Sequence, residues 1–358
     1  MRTKTKRIYN QFPTKLIIYP YSKVPKTTKE ATTTKKAIHL FYGENTYGSL
    51  QKLKVWQEQF IEKYGGETNV EIIEGKKLVP AEFDTNLQTM PFLAEKKLII
   101  IKNFLAEGKT EEQKRVTDSL AKTPDFTMVI FYEIKTPDKR TSLYQKINKM
   151  GNAKEFTTPS PAEVTKQILF EAKKSDIKIS STAALYLSTQ CSMNLWLVFG
   201  ELDKLATYAN GKEITQKMID ELVTPTLSSS IFKLTDALAV KKVKESLRVF
   251  RILIDSGEEA GMVFFMIVRQ FRILIQIREL VEKNASQGEM IKKLKQHPFV
   301  IQTASKQAKN FTIPQIENIY KELLEIDRKV KTGIIKSLAG NTSEFQLAIE
   351  KLIINCCK

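Results

Sequence analysis

Apolar residues follow two different patterns along the chain, and the pattern changes near residue 158. Before that point, short apolar runs alternate with stretches whose apolar positions recur every three or four residues, as in strands alternating with amphipathic helices. Strands are predicted at 38–42, 69–74, 97–102, 128–132 and 153–156, and helices at 48–64, 81–89, 110–122 and 139–150. The alternation predicts a three-layer α/β domain built on a mostly parallel sheet.

Beyond residue 158 the pattern predicts helices only. Ser160 or Thr158 can cap a helix whose first turn accommodates Pro161, and no convincing strand follows. About four helices are predicted in 161–224, and more in 228–358. The fold class is therefore α/β followed by all-α.

The length of 358 residues exceeds what one hydrophobic core usually serves. We predict a tail at 1–36, an α/β domain at 37–160, a small helical domain at 161–226 and a larger helical domain at 227–358. A helix over 259–283 is apolar around much of its circumference, so we expect it to be buried on several sides, within its own bundle or against a partner subunit.

The composition argues against several classes of protein. The longest uninterrupted apolar run, 262–268, has seven residues, too few to span a bilayer, so no membrane association is expected. Three cysteines and two histidines cannot form a disulfide framework or a zinc cluster, which predicts a cytoplasmic protein without a structural metal. These residues are Cys191, Cys356, Cys357, His39 and His297.

Positive charge is concentrated at the amino terminus, where residues 1–36 carry +9 of the net +17. This threonine-rich segment lacks the apolar content needed to fold, so we predict that it is disordered. A basic tail can contact nucleic acid or an anionic membrane. A merely solvated tail, or a start codon assigned too far upstream, explains the segment equally well.

The segment 38–50 has the glycine spacing of a phosphate-binding loop without its functional residues. Gly43 and Gly48 keep the frame, but Ser49 and Leu50 replace the lysine and the Ser/Thr that contact phosphate and Mg²⁺. This predicts a degenerate loop with no nucleotide cofactor. The alternative is an ordinary strand-to-helix turn that uses Gly43 for its backbone freedom.

Other catalytic signals are missing as well. The third strand ends in Lys102, where an active ATPase of this kind needs a carboxylate. Glu133 ends the fourth strand, where a single acid is expected to be solvated. The absence of D-x-D argues against a polymerase site, and His297 before Pro298 is expected at a turn or a helix end. No catalytic residue is predicted.

The segment Met90-Pro91-Phe92-Leu93 precedes the third strand and places two large apolar residues on a proline-stiffened turn. If Phe92 and Leu93 face solvent, they form a compact hot spot for another protein. Pattern alone favours the alternative that both side chains pack beneath the following strand.

Seven segments, in order, resemble the δ subunit family of the bacterial DNA polymerase III clamp loader, and the resemblance extends from about residue 37 to the C-terminus. They are FYGENTYGSL, MPFLAEKKLIIIKNF, NLWLVFGELDKLATYANGKEIT, SSSIFKLTDALA, RQFRILIQIREL, HPFVIQTASKQAKNF and LLEIDRKVKTG.

The resemblance implies an AAA+-like core that binds no ATP, a helical lid at 161–226 and a collar at 227–358. It implies a heteropentamer with ATPase subunits and the delta prime subunit, within a DNA-directed DNA polymerase holoenzyme. Such subunits grip the sliding clamp, the beta subunit, and open its ring for loading onto primed DNA during DNA replication. Met90, Pro91, Phe92 and Leu93 would be the clamp-binding residues. The alternatives are an active AAA+ ATPase and a standalone DNA-binding protein that uses the basic tail.

Overall fold

The computed structural model describes residues 37–337 and 341–357, so the prediction of a disordered tail at 1–36 lies outside the described residues. The chain divides into two compact units, Met1–Thr158 and Pro159–Lys358. The first unit is an α/β core and the second is helical, which confirms the predicted fold class.

A parallel sheet of five strands forms the centre of the described part of the first unit. The strands are β1 (Ile38–Tyr42), β2 (Val70–Glu74), β3 (Lys97–Lys102), β4 (Thr127–Glu133) and β5 (Asn152–Glu155). Their order in the sheet is β2-β3-β4-β1-β5, with every pairing parallel. All five strands were predicted to within one or two residues.

Helices cover both faces of this sheet. They are α1 (Thr46–Tyr64), α2 (Pro80–Gln88), α3 (Phe104–Glu107), α4 (Thr110–Leu120) and α5 (Ser142–Met150). Successive residues of β3 point to opposite faces: Ile99 and Ile101 pack with residues of α2 to α5, whereas Leu98 and Ile100 pack with α1. The result is the predicted three-layer core.

The described part of the second unit is helical. Its helices are α6 (Pro161–Lys174), α7 (Ser181–Gln190), α8 (Leu195–Ala209), α9 (Gln216–Leu222), α10 (Leu227–Ala239), α11 (Val243–Asp255), α12 (Ala260–Glu282), α13 (Gln287–Leu294), α14 (Pro298–Ala308), α15 (Ile313–Lys331) and α16 (Ser343–Cys356). Ser160, rather than Thr158, caps α6, in a capping box with Glu163. His297 caps α14 by accepting the Phe299 N–H at Nδ1, as expected of a helix-end residue.

Helix α12 is the central element of this unit. It contacts α10, α14, α15 and α16, and most of its apolar residues lie in one large core cluster, so it is buried within its own bundle. By length and composition α12 alone among the described helices could cross a membrane, but half of its most apolar stretch is buried against its neighbours, as in the core helix of a globular bundle.

Candidate functional site

The turn between β1 and α1 is closely packed. Gly43 has φ +126°, and a Cβ at this position would lie 2.4 Å from the carbonyl oxygen of Phe156. An L side chain is therefore excluded by both backbone conformation and space. Gly43 is explained by the turn itself, which agrees with the alternative interpretation of the glycine spacing.

Asn45 is the N-cap of α1. Its Oδ1 accepts the N–H of Gly48 at 2.9 Å, so this amide is satisfied from within the protein. Ser49 is fully buried and donates its hydroxyl to the carbonyl of Thr46. Leu50 is partly buried against the core on the α1 face of the sheet. Because Asn45 is the cap, α1 begins at Thr46, two residues before the predicted start.

The carboxyl end of β3 presents a cation that is already paired. The Lys102 ammonium lies 3.4 Å from the Glu74 carboxylate at the end of the neighbouring strand β2. The chemistry at this strand end is thus a partly exposed ion pair. Among the described residues, no three His, Cys, Asp or Glu side chains are grouped as metal ligands would be.

Glu133 was expected to be solvated, and this expectation was wrong. The residue is fully buried, and its carboxylate accepts the N–H groups of Leu105 (2.8 Å) and Ala106 (3.2 Å) from the unpredicted helix α3. Burial raises the pKa of Glu133 to about 7, although these hydrogen bonds act in the opposite direction. The carboxylate holds α3 against the end of β4.

The loop between α2 and β3 exposes large apolar side chains. Met90 is 73% exposed, Phe92 67% and Leu93 92%, whereas Pro91 is partly buried. The pattern-based expectation that Phe92 and Leu93 pack beneath β3 was therefore wrong. Leu98 to Ile101 of β3 are fully buried and already pack against the helices on both faces of the sheet, so these faces leave no room for the loop side chains.

Two sets of hydrogen bonds hold this loop, one at its middle and one at its start. The buried carboxamide of Asn69 accepts the Phe92 N–H at Oδ1 (2.7 Å) and donates from Nδ2 to the Phe92 carbonyl (2.8 Å). At the end of α2, the Lys97 ammonium donates to the Asn86 carbonyl, and the Thr127 hydroxyl donates to the Leu87 carbonyl. These donors satisfy carbonyls that the helix end leaves unpaired.

Leu93 adopts a left-handed backbone conformation, with φ 48°. A branched residue with positive φ is uncommon and costs on the order of 1 kcal/mol, so such residues tend to occur at functional sites. The combination of a strained backbone and a nearly fully exposed leucine distinguishes this loop from an ordinary surface turn.

The predicted site residues fall into two separate groups. Gly43, Gly48, Ser49 and Leu50 follow β1 at the carboxyl edge of the sheet. Met90 to Leu93 precede β3 at the amino edge. Sequence reasoning missed Asn69, since no local motif marks a contact between residues 23 positions apart.

Three family models match the chain in sequence order. A model described as the DNA polymerase III delta subunit matches residues 39–157, and one for the C-terminal domain of that subunit matches 228–352. A model described as a middle domain matches 160–221.

Individual proteins give the same result. The chain is 26% identical over 308 residues to the DNA polymerase III subunit delta of Bacillus subtilis, a match covering 83% of this chain and 88% of that protein. It is 23% identical over 262 residues to a probable DNA polymerase III subunit delta of Aquifex aeolicus, covering 70% and 73%. A solved structure of the Bacillus subtilis DNA clamp loader delta protein superposes with a TM-score of 0.65 at 24% identity, covering 90% of this chain and 95% of that one.

Proposed function

This chain belongs to the DNA polymerase III delta subunit family and is a clamp-loader component, and from that premise we propose that it grips the sliding clamp and opens its ring for loading onto primed DNA. The observation that carries the proposal is the exposure of Phe92 and Leu93 on a loop that is held by hydrogen bonds at Phe92 and at the end of α2. Clamp binding is assigned to Met90, Pro91, Phe92 and Leu93. Adjacent exposed apolar side chains of this size are the groups that fill pockets on partner proteins.

Opening of the ring follows from differential affinity. A ligand shifts an equilibrium between two states by the difference between its affinities for them. The subunit needs only to bind the open or strained clamp more tightly than the closed clamp. A loop with little freedom to adjust suits this role, because a rigid surface discriminates between two shapes of its partner better than a flexible one.

We propose further that the core binds no ATP. Three features support this: Asn45 satisfies the Gly48 amide, Ser49 is buried, and the Lys102 ammonium is paired with Glu74. A triphosphate at this turn would find neither a free lysine nor a hydroxyl ligand for Mg²⁺. ATP bound by neighbouring subunits would then control access to the clamp-binding loop.

The remaining assignments follow from the family. The partners are the sliding clamp, the ATPase subunits and the delta prime subunit of a heteropentamer, and primed DNA reached through the assembled complex. Residues 161–226 act as the lid and 227–358 as the collar that joins the subunits. The chain contributes no catalytic site of its own to the DNA-directed DNA polymerase holoenzyme, and it works in the cytoplasm.

The test is a direct measurement of ring opening. A donor and an acceptor fluorophore are placed across one interface of the sliding clamp, and the purified chain is added without ATP. We expect energy transfer to fall when wild type is added at a concentration that saturates the clamp. The same concentration of Phe92→Ala/Leu93→Ala should leave energy transfer unchanged. Energy transfer that stays unchanged with wild type, despite binding, contradicts the opening role.

A further inference from the structure

We propose that Asn69 is the positioning residue of the clamp-binding loop, and that it presents Phe92 and Leu93 to the clamp by holding the main chain of Phe92. This inference rests on the proposed function, because it concerns the same loop. Asn69 is 8% exposed and lies beneath the loop, so it acts through Phe92 and Leu93.

One side chain satisfies both main-chain groups of Phe92. The Asn69 carboxamide accepts at 2.7 Å and donates at 2.8 Å, the pair of bonds that two residues exchange across a sheet. Only a primary amide at this position offers an acceptor and a donor side by side. Because Asn69 is buried, water cannot readily replace it.

Asn69 is itself held firmly. It ends a 3₁₀ turn, Glu67–Asn69, and the next residue, Val70, begins β2 and is in register with Leu98 of β3. Through Asn69, the loop main chain is therefore connected to the start of β2, before the chain itself enters the sheet at β3. Between Thr89, whose N–H closes α2, and Lys97, which begins β3, the two bonds from Asn69 hold the loop backbone.

The orientation of both apolar side chains depends on this contact. With the Phe92 main chain facing Asn69, the Phe92 side chain is left exposed, and the left-handed conformation of Leu93 turns its side chain outward as well. If the bonds are lost, the loop populates other conformations, and the apparent affinity falls by the fraction that remains competent to bind. Loss of two neutral hydrogen bonds corresponds to about a tenfold weaker binding of the clamp.

The experiment compares Asn69→Ala, Asn69→Asp and the matched control Asn86→Ala by surface plasmon resonance on immobilised sliding clamp. Asn86 is an asparagine of the same unit whose side chain donates to Glu71, and Asn86→Ala keeps the main-chain carbonyl that accepts from Lys97. We expect about tenfold weaker binding with Asn69→Ala and no change with Asn86→Ala. Asn69→Asp keeps the acceptor but places a carboxylate against the Phe92 carbonyl, so it should bind as weakly as Asn69→Ala.

Hydrogen exchange separates a positioning role from a loss of stability. In Asn69→Ala the Phe92 amide should exchange faster, while the amides of β3 keep their protection and the unfolding midpoint stays close to that of Asn86→Ala. Unchanged clamp affinity in Asn69→Ala overturns the inference, and so does a general loss of protection across β2 and β3.

Failure of this inference is distinguishable from failure of the proposed function. If Phe92→Ala/Leu93→Ala loses clamp binding while Asn69→Ala keeps it, only the role of Asn69 is wrong. If Phe92→Ala/Leu93→Ala binds the clamp as wild type does, the loop is not the clamp-binding surface.

Discussion

Replacing Phe92 and Leu93 by alanine should weaken binding of the sliding clamp without weakening the fold. Complete burial of a leucine or phenylalanine side chain contributes about 1.5–3 kcal/mol. In the free chain Leu93 is 92% exposed and Phe92 67%, so nearly all of this contribution for Leu93, and about two thirds for Phe92, is available to a partner. The double variant should therefore lose about 2–4 kcal/mol, a rise in Kd of roughly 30- to 1,000-fold.

The same exposures fix the expected effect on stability. Exposed substitutions usually change the free energy of unfolding by less than about 0.5 kcal/mol, whereas truncating a buried leucine costs about 2–5 kcal/mol. Urea unfolding of the double variant should therefore match wild type. Leu93→Asn is a useful companion, because asparagine tolerates the left-handed conformation and so removes the apolar side chain without changing the backbone preference.

The assay is surface plasmon resonance on immobilised clamp, with Ile134→Ala as the matched control. Ile134 is 44% exposed and follows β4 at the opposite edge of the same sheet, so its truncation removes apolar surface far from the loop. A Kd of the double variant within twofold of wild type, or an equal loss in Ile134→Ala, refutes the reasoning. A large fall in unfolding free energy for the double variant shows instead that the two side chains are packed.

Three further predictions concern other parts of the chain. Calorimetric titration of the isolated chain with ATP and Mg²⁺ should give no binding heat, because Asn45 occupies the Gly48 amide at the degenerate loop and Glu74 pairs with Lys102 at the end of β3; tight binding contradicts the proposal. Burial raises the pKa of Glu133 from 4.5 to about 7, so the folded chain binds more protons than the unfolded chain in this range, and stability should fall as pH rises from 4.5 to 7. Urea unfolding should show a decline in the free energy of unfolding on the order of 3 kcal/mol in wild type, and no such decline in Glu133→Gln. An equal decline in Glu133→Gln would mean that another titrating group causes it. Deleting residues 1–36, which carry +9, should leave clamp affinity unchanged on the same sensor surface. If the main effect of the deletion is instead the loss of a salt-dependent affinity for DNA, the result favours a standalone DNA-binding protein.

Apolar runs were sufficient to predict β1, β3 and β4, because a parallel strand buried on both faces is a nearly continuous apolar run. β3 was predicted at its observed limits. Helix starts were less accurate, since they depend on caps: α5 begins at Ser142 rather than 139 because Thr141 caps it, after a turn in which Asp138 pairs with Arg140.

The exposure of Phe92 and Leu93 was harder to predict, because exposure is a tertiary property. Nothing in the local sequence distinguishes Phe92 and Leu93 from core residues. Their exposure depends on the packing of β3 against its helices and on the side chain of Asn69, 23 positions before Phe92. The prediction that Glu133 is solvated was wrong for a related reason. Its hydrogen-bond donors, Leu105 and Ala106, belong to a one-turn helix that is too short to produce a periodic signal.

The glycine turn and the loop between α2 and β3 lie at opposite ends of the parallel strands, and β3 spans the distance between them. Its six residues are about 20 Å long, and the four in its middle are fully buried. A substitution in one of the two regions therefore has no direct contact through which to disturb the other.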